Sequence, residues 1–163
     1  MDLEVRAGTT DDIELLAPLW MGMVEHHRDL VGKEWPVRGS EAAWLMRREE
    51  YRRWLGDGSG VLLMAFRAGV LKPVGYAFCL LIKSGPTFDF GPERGDVESL
   101  AVADDARGAG VGTALLEAAR DEFRRRGVSH WAISVVDANT DAARLYERVG
   151  FRPWTRYLLA PLD

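Results

Sequence analysis

The sequence predicts a single α/β domain with a mixed, mainly antiparallel sheet, and three observations carry that expectation. The chain has 163 residues, 47% of them apolar, enough for one core of ordinary size and too few for two large domains. Two apolar runs in the middle, VLLMAF (61–66) and VGYAFCLLI (74–82), flank a turn at Ala68–Gly69 and read as a hairpin. Further on, a strand, a glycine-rich turn, an amphipathic helix and another apolar strand follow in order. Those are the parts of a parallel β-α-β unit.

Each element has a local reason. Leu3, Val5 and Ala7 alternate with polar residues as in a first strand. Thr9 or Thr10 caps a helix reaching about His27, with Asp11, Asp12 and Glu14 where the helix dipole favours acids and Pro18 inside it, bending or splitting it. Residues 29–39 read as a loop. A second helix starts at Ser40, with Trp44, Tyr51 and Leu55 on one side, and the glycines of GDGSG (56–60) end it. After the hairpin, residues 84–95 form a Pro- and Gly-rich loop, and Val97–Val102 a short strand. A helix from Gly110 presents Val111, Leu115, Leu116, Ala119 and Phe123 on one stripe and closes at Gly127. His130–Val136 is a buried strand, 137–150 a short helix with Asn139 near its cap, and Trp154–Ala160 a last strand.

Composition removes several classes of function. A net charge of −4 leaves no basic face for nucleic acid or anionic membrane. No run of about 18 apolar residues exists to span a bilayer. The start, MDLEVRAGTTDD, lacks the layout of a signal peptide, so a cytoplasmic protein is expected. The one cysteine, Cys79, excludes an internal disulfide and a multi-cysteine metal site. His26 and His27 are neighbours on a helix and point roughly 100° apart, so they cannot share a metal. A surface or capping role suits them better than a place in a pocket.

The chemistry concentrates in two segments. In the first, a strand ends and Arg107, Gly108, Ala109, Gly110, Val111 and Gly112 open a helix. Glycines there let backbone N–H groups converge on an anion at the positive end of the helix. A dinucleotide-binding fold would place such a loop near an N-terminal strand, with an acid about 20 residues on; here it lies late in the chain. About thirty residues further comes N-x-x-A-x-x-x-Y-x-x-x-G-F, filled by Asn139, Ala142, Tyr146, Gly150 and Phe151.

With both motifs in view the chain resembles the GCN5-related N-acetyltransferase superfamily, closely over residues 96–153 and only in element order before that. The resemblance implies a sheet with a V-shaped split between its fourth and fifth strands. It further implies acetyl transfer from acetyl-coenzyme A to a primary amine, by direct attack in a ternary complex. Residues 107–112, with Thr113 beside them, correspond to the family's pyrophosphate loop. Leu100, Ala101 and Val102 lie on the strand whose backbone bonds the pantetheine arm, and the N–H near Leu100 corresponds to an oxyanion donor. Asn139 and Ala142 correspond to the other side of the split, and Tyr146 to the tyrosine that protonates the departing thiolate. Glu98 matches a glutamate of polyamine acetyltransferases. As an acid on a buried strand, it suits the proton acceptor that a protonated amine requires. A non-catalytic acyl-coenzyme A sensor is the rival reading: it would keep the loop and need neither Glu98 nor Tyr146.

The remaining candidates read as structural. Cys79 lies in an apolar strand as an inert core thiol. The arginines at 47–53 and 124–126 read as solvated helix faces. Trp20, Trp35 and Trp44 fall where the family shapes its acceptor pocket, with core packing the simpler role for Trp20 and Trp44. The acceptor is a small-molecule or peptide amine of open identity, and the sequence is compatible with a homodimer.

Overall fold

A computed structural model describes residues 2–162. Its elements are β1 (Leu3–Ala7), a 3₁₀ helix (Thr10–Leu16), α1 (Ala17–Val31), α2 (Ser40–Gly56), β2 (Gly60–Arg67), β3 (Pro73–Lys83), β4 (Glu93–Val102), a 3₁₀ turn (Asp104–Ala106), α3 (Val111–Arg125), β5 (Trp131–Ile133) and α4 (Thr140–Val149). The five strands lie side by side in sequence order, antiparallel from β1 to β4, with β5 parallel to β4. The mixed, mainly antiparallel sheet expected from the sequence is therefore present.

The apolar runs of β2 and β3 follow from coverage on both faces. Leu62, Met64, Phe66, Tyr76, Phe78 and Leu80 point to one side, where Ile13, Leu16, Trp20, Trp44 and Tyr51 close the core beneath α1 and α2. Val61, Leu63, Ala65, Ala77 and Cys79 point to the other, against Val111, Leu115, Leu116, Ala119 and Phe123 of α3. Period-2 alternation in the strands and period-3.6 spacing in the helices thus meet in two core layers.

Several expectations need correction. The first helix is two pieces. Thr9 forms a capping box with Asp12, the turns up to Leu16 are 3₁₀, and the division falls at Pro18, which splits the helix as one of the two expected outcomes and sits in the first turn of α1. There its missing N–H costs nothing. The α1 helix continues to Val31, past the expected stop at His27. The β4 strand begins at Glu93, inside the segment read as loop, because Glu93–Asp96 find ladder partners at Lys83–Leu80 that no local pattern announces. Only Trp131–Ile133 of the fifth strand pair, since β4 and β5 part beyond Val97 and Ile133. Finally, Trp154–Ala160 forms no strand; it has no regular secondary structure and is exposed.

The β4 strand also carries an irregularity invisible in the sequence. Cys79 lies opposite Val97 and Phe78 opposite Ser99, so Glu98 has no partner on β3. This is a β-bulge, one extra residue that breaks the alternation of faces. Gly95 and Val97 accordingly face α3, whereas Ser99, two residues on, faces α2 and bonds Tyr51.

Candidate active site

The bulge at Glu98 and the last β4–β5 pair, Val97 with Ile133, are adjacent, so the sheet opens where the ladder is already interrupted. The opening is a cleft of about 970 Å³ between Glu98–Val102 on one side and Ile133–Val136 with α4 on the other. Every residue given a catalytic or cofactor-binding role in the sequence lines it except Ala109. Topology brings them together: α3 crosses from the end of β4 to the start of β5, and both motifs return to the same end of the sheet.

The α3 helix opens the cleft floor without a side-chain cap. Gly110 is its N-cap at φ 82°, and Gly108 has φ 74°, both in the left-handed region that glycine adopts without strain. A Cβ built on either would meet no atom within 4 Å, so the cradle over the helix N-terminus is open. First-turn N–H groups with no side chain to satisfy them suit a phosphate. Gly112 lines the cleft and also serves packing: its Cβ would lie 2.9 Å from Leu145 Cδ2, so its bare Cα lets α4 pack close to α3. Gly110→Val is expected to weaken acetyl-coenzyme A binding at least about tenfold, roughly 1.4 kcal/mol, as calorimetry would measure. Unchanged affinity in a folded variant would remove the loop from the binding site.

On the far wall, Asn139 caps α4, its Oδ1 accepting from Ala142 N–H at 3.2 Å. Tyr146 lies two turns along the same helix, half-buried and edge-on to Phe151. Burial pushes its hydroxyl up to about 12, so it stays protonated throughout the working range of an enzyme.

At the other end, Glu98 meets residues the sequence reading placed elsewhere. Arg47 is no solvated helix-face residue. Its side chain is only 19% exposed and donates to Glu98 at 2.8 Å, with Glu50 3.3 Å from its Nε. Its guanidinium lies 4.8 Å from the Trp20 ring and 5.5 Å from the Trp54 ring. The helical period hid this: from α2, position 47 reaches the sheet just where the bulge turns Glu98 toward it. Beneath the pair, Tyr51 Oη bonds Ser99 Oγ at 2.6 Å and Tyr76 Oη at 3.0 Å, a buried network that locks β4 against α2. His26 and His27 also line the cleft, overturning their surface reading. Burial, then the neighbouring His26, lowers the pKa of His27 and favours its neutral form. Trp20 is both core and cleft wall, whereas Trp35 does not line the cleft.

Cys79 is buried and outside the cleft, and burial pushes its thiol up to about 12. It is unfit as a nucleophile.

Comparison with known proteins agrees with this architecture. A mycothiol acetyltransferase of Thermobispora bispora is 37% identical over 120 residues, covering 74% of this chain and 39% of that protein. The chain spans about two-fifths of the length of the mycothiol acetyltransferases it matches over most of its own length. Among solved structures, a GCN5-related N-acetyltransferase from Ralstonia eutropha JMP134 superposes with a TM-score of 0.77 over 99% of both chains, at 24% identity. The structure of AAC(6')-Iy with the bisubstrate analogue CoA-S-monomethyl-acetylneamine superposes at 0.70, covering 100% of this chain and 99% of that one at 17% identity. The model of the acetyltransferase (GNAT) family matches residues 22–151, from α1 through β5 and α4, and the chain belongs to that family.

Proposed function

We propose that this chain transfers an acetyl group from acetyl-coenzyme A to a primary amine, by direct attack in a ternary complex. One observation carries the reading: a proton acceptor, a neutral hydroxyl donor and an uncapped glycine-rich helix start line one cleft at the split of the sheet. Gly108, Gly110 and the first turn of α3 would hold the pyrophosphate, and the β4 backbone at Leu100–Val102, unpaired on its β5 side, would hold the pantetheine arm. Asn139 and Ala142 would flank that arm from α4. When bound, the cosubstrate supplies the acyl group as a thioester.

The chain's own residues manage the protons. An alkyl amine is mostly protonated near pH 7, and its nitrogen attacks only after losing that proton. Glu98 takes it at a carboxylate oxygen, held in place by Arg47. Tyr146 gives its hydroxyl proton to the sulfur, which would otherwise carry charge into a poorly solvated cleft. The buried position of Cys79 supports direct transfer over an acyl-enzyme.

The acceptor is a small-molecule or peptide amine; relatives named for mycothiol and streptothricin support a small molecule. Among the described residues no helix is long and apolar enough to cross a membrane. A cytoplasmic location and assembly as a homodimer belong to the same reading. The test is coenzyme A release with acetyl-coenzyme A and a panel of amines, against a control lacking amine. Release that depends on one class of amine supports the reading. Tight acetyl-coenzyme A binding with no release for any amine would make the chain a sensor.

A further inference from the structure

Around Glu98 the cleft is walled by α1 and α2. Trp20, Met23, Val24 and His27 recur at steps of three and four residues, so they share one face of α1, and all four line the cleft. Three of the four are apolar, and Trp20 and Val24 belong to the core as well, which holds that wall in place. From α2 the same region receives Arg47.

Negative charge is scarce there. Among the described residues only two carboxylates line the cleft, Glu98 and Asp141. Asp141 stands on the far wall in the first turn of α4, its side chain 93% exposed and 3.5 Å from Arg144. That leaves Glu98 alone to face an amine, and Glu98 already accepts from Arg47 at 2.8 Å. The guanidinium is fixed in its turn. Glu50 holds its Nε at 3.3 Å, and the rings of Trp20, Tyr51 and Trp54 lie 4.8, 5.6 and 5.5 Å away. His26 and His27 add no negative charge in any protonation state.

An acceptor meets this arrangement with its own charges. One ammonium is balanced at Glu98 and gives up its proton there. A second would leave water for a region with no free carboxylate and a fixed guanidinium, losing hydration and meeting like charge. An apolar body, by contrast, gains by covering Trp20, Met23 and Val24. On the basis of acetyl transfer in this cleft, we propose that the acceptor is a monoamine with an apolar body, and that the single carboxylate shared with Arg47 excludes polycationic amines.

Coenzyme A release with matched amines tests this on the full chain. n-Hexylamine and 1,6-diaminohexane have the same length and differ by one ammonium. The monoamine is expected to show a kcat/KM at least about tenfold above that of the diamine. 2-Phenylethylamine and leucinamide are expected to fall with the first, spermidine and kanamycin with the second. His26→Glu adds a carboxylate to the cleft wall at a half-buried position, and is expected to narrow the gap between the two hexyl amines at least about threefold, through a lower KM for the diamine. Equal kcat/KM for the two, or a preference for spermidine or kanamycin, would overturn the proposal and leave acetyl transfer standing. An unchanged gap in a folded His26→Glu variant would overturn it as well. Release with none of the six amines would remove acetyl transfer itself, and the proposal with it.

Discussion

Glu98→Gln is expected to lower kcat/KM by roughly 10²–10⁴ at neutral pH, while acetyl-coenzyme A affinity stays close to wild type. The substitution keeps the shape and an oxygen that can accept from Arg47, but removes the basicity. Glu50, 3.3 Å from Arg47 Nε, still balances part of the guanidinium charge, so the fold is expected to survive. The affinity is preserved because the proposed phosphate site is built from α3, not from the bulge. The size of the loss reports the fraction of amine that reaches the cleft protonated. Raising the pH delivers more neutral amine and is expected to restore part of the rate, so the deficit shrinks as the pH rises. A variant fully active at pH 7 would assign the proton to water or to neutral His27, which lines the same cleft.

Tyr146→Phe is expected to reduce turnover by roughly 10²-fold or more where chemistry limits the rate, with cofactor affinity changed by less than about 1 kcal/mol. Only the hydroxyl is lost, and the ring keeps its contact with Phe151 at a centroid distance of 6.1 Å. Because burial pushes that hydroxyl up to about 12, the donor form persists well above neutrality. The alkaline limb of the pH–rate profile is therefore not expected to come from Tyr146 below about pH 10, the ordinary value for tyrosine. Wild-type turnover in the phenylalanine variant would reduce Tyr146 to a packing residue between α4 and Phe151. Enzyme and sensor separate already at the wild type: a sensor binds acetyl-coenzyme A tightly and turns over with no amine before any substitution is made.

The two motifs were legible because their chemistry is local. A glycine with positive φ, an uncapped helix start and a helix placing Asn139 and Tyr146 two turns apart each depend on neighbours within about ten residues. The two faces of β2 and β3 were legible for a similar reason, since a continuous apolar run can satisfy only a strand buried on both sides or a buried helix segment. The interior stripe of α3 needed nothing beyond its 3.6-residue period.

Arg47 and the bulge were not legible, and they are what give Glu98 its setting. A bulge is a mismatch between two strands, so its position at Glu98 depends on how β3 and β4 align and not on either alone. Arg47 reads as one of four arginines on a polar helix until that bulge turns a carboxylate toward it across 51 positions of sequence. The last strand shows the opposite case. Its composition specifies strand, but a strand exists only where it pairs, and among the described residues Trp154–Ala160 joins no edge of the sheet. By itself the sequence determined which segments carry the chemistry and which faces are apolar, because periodicity and local backbone freedom are written residue by residue. Only the tertiary structure decided where the sheet splits, which way Glu98 points and what it meets, because register and long-range pairing arise between segments whose alignment no local pattern encodes.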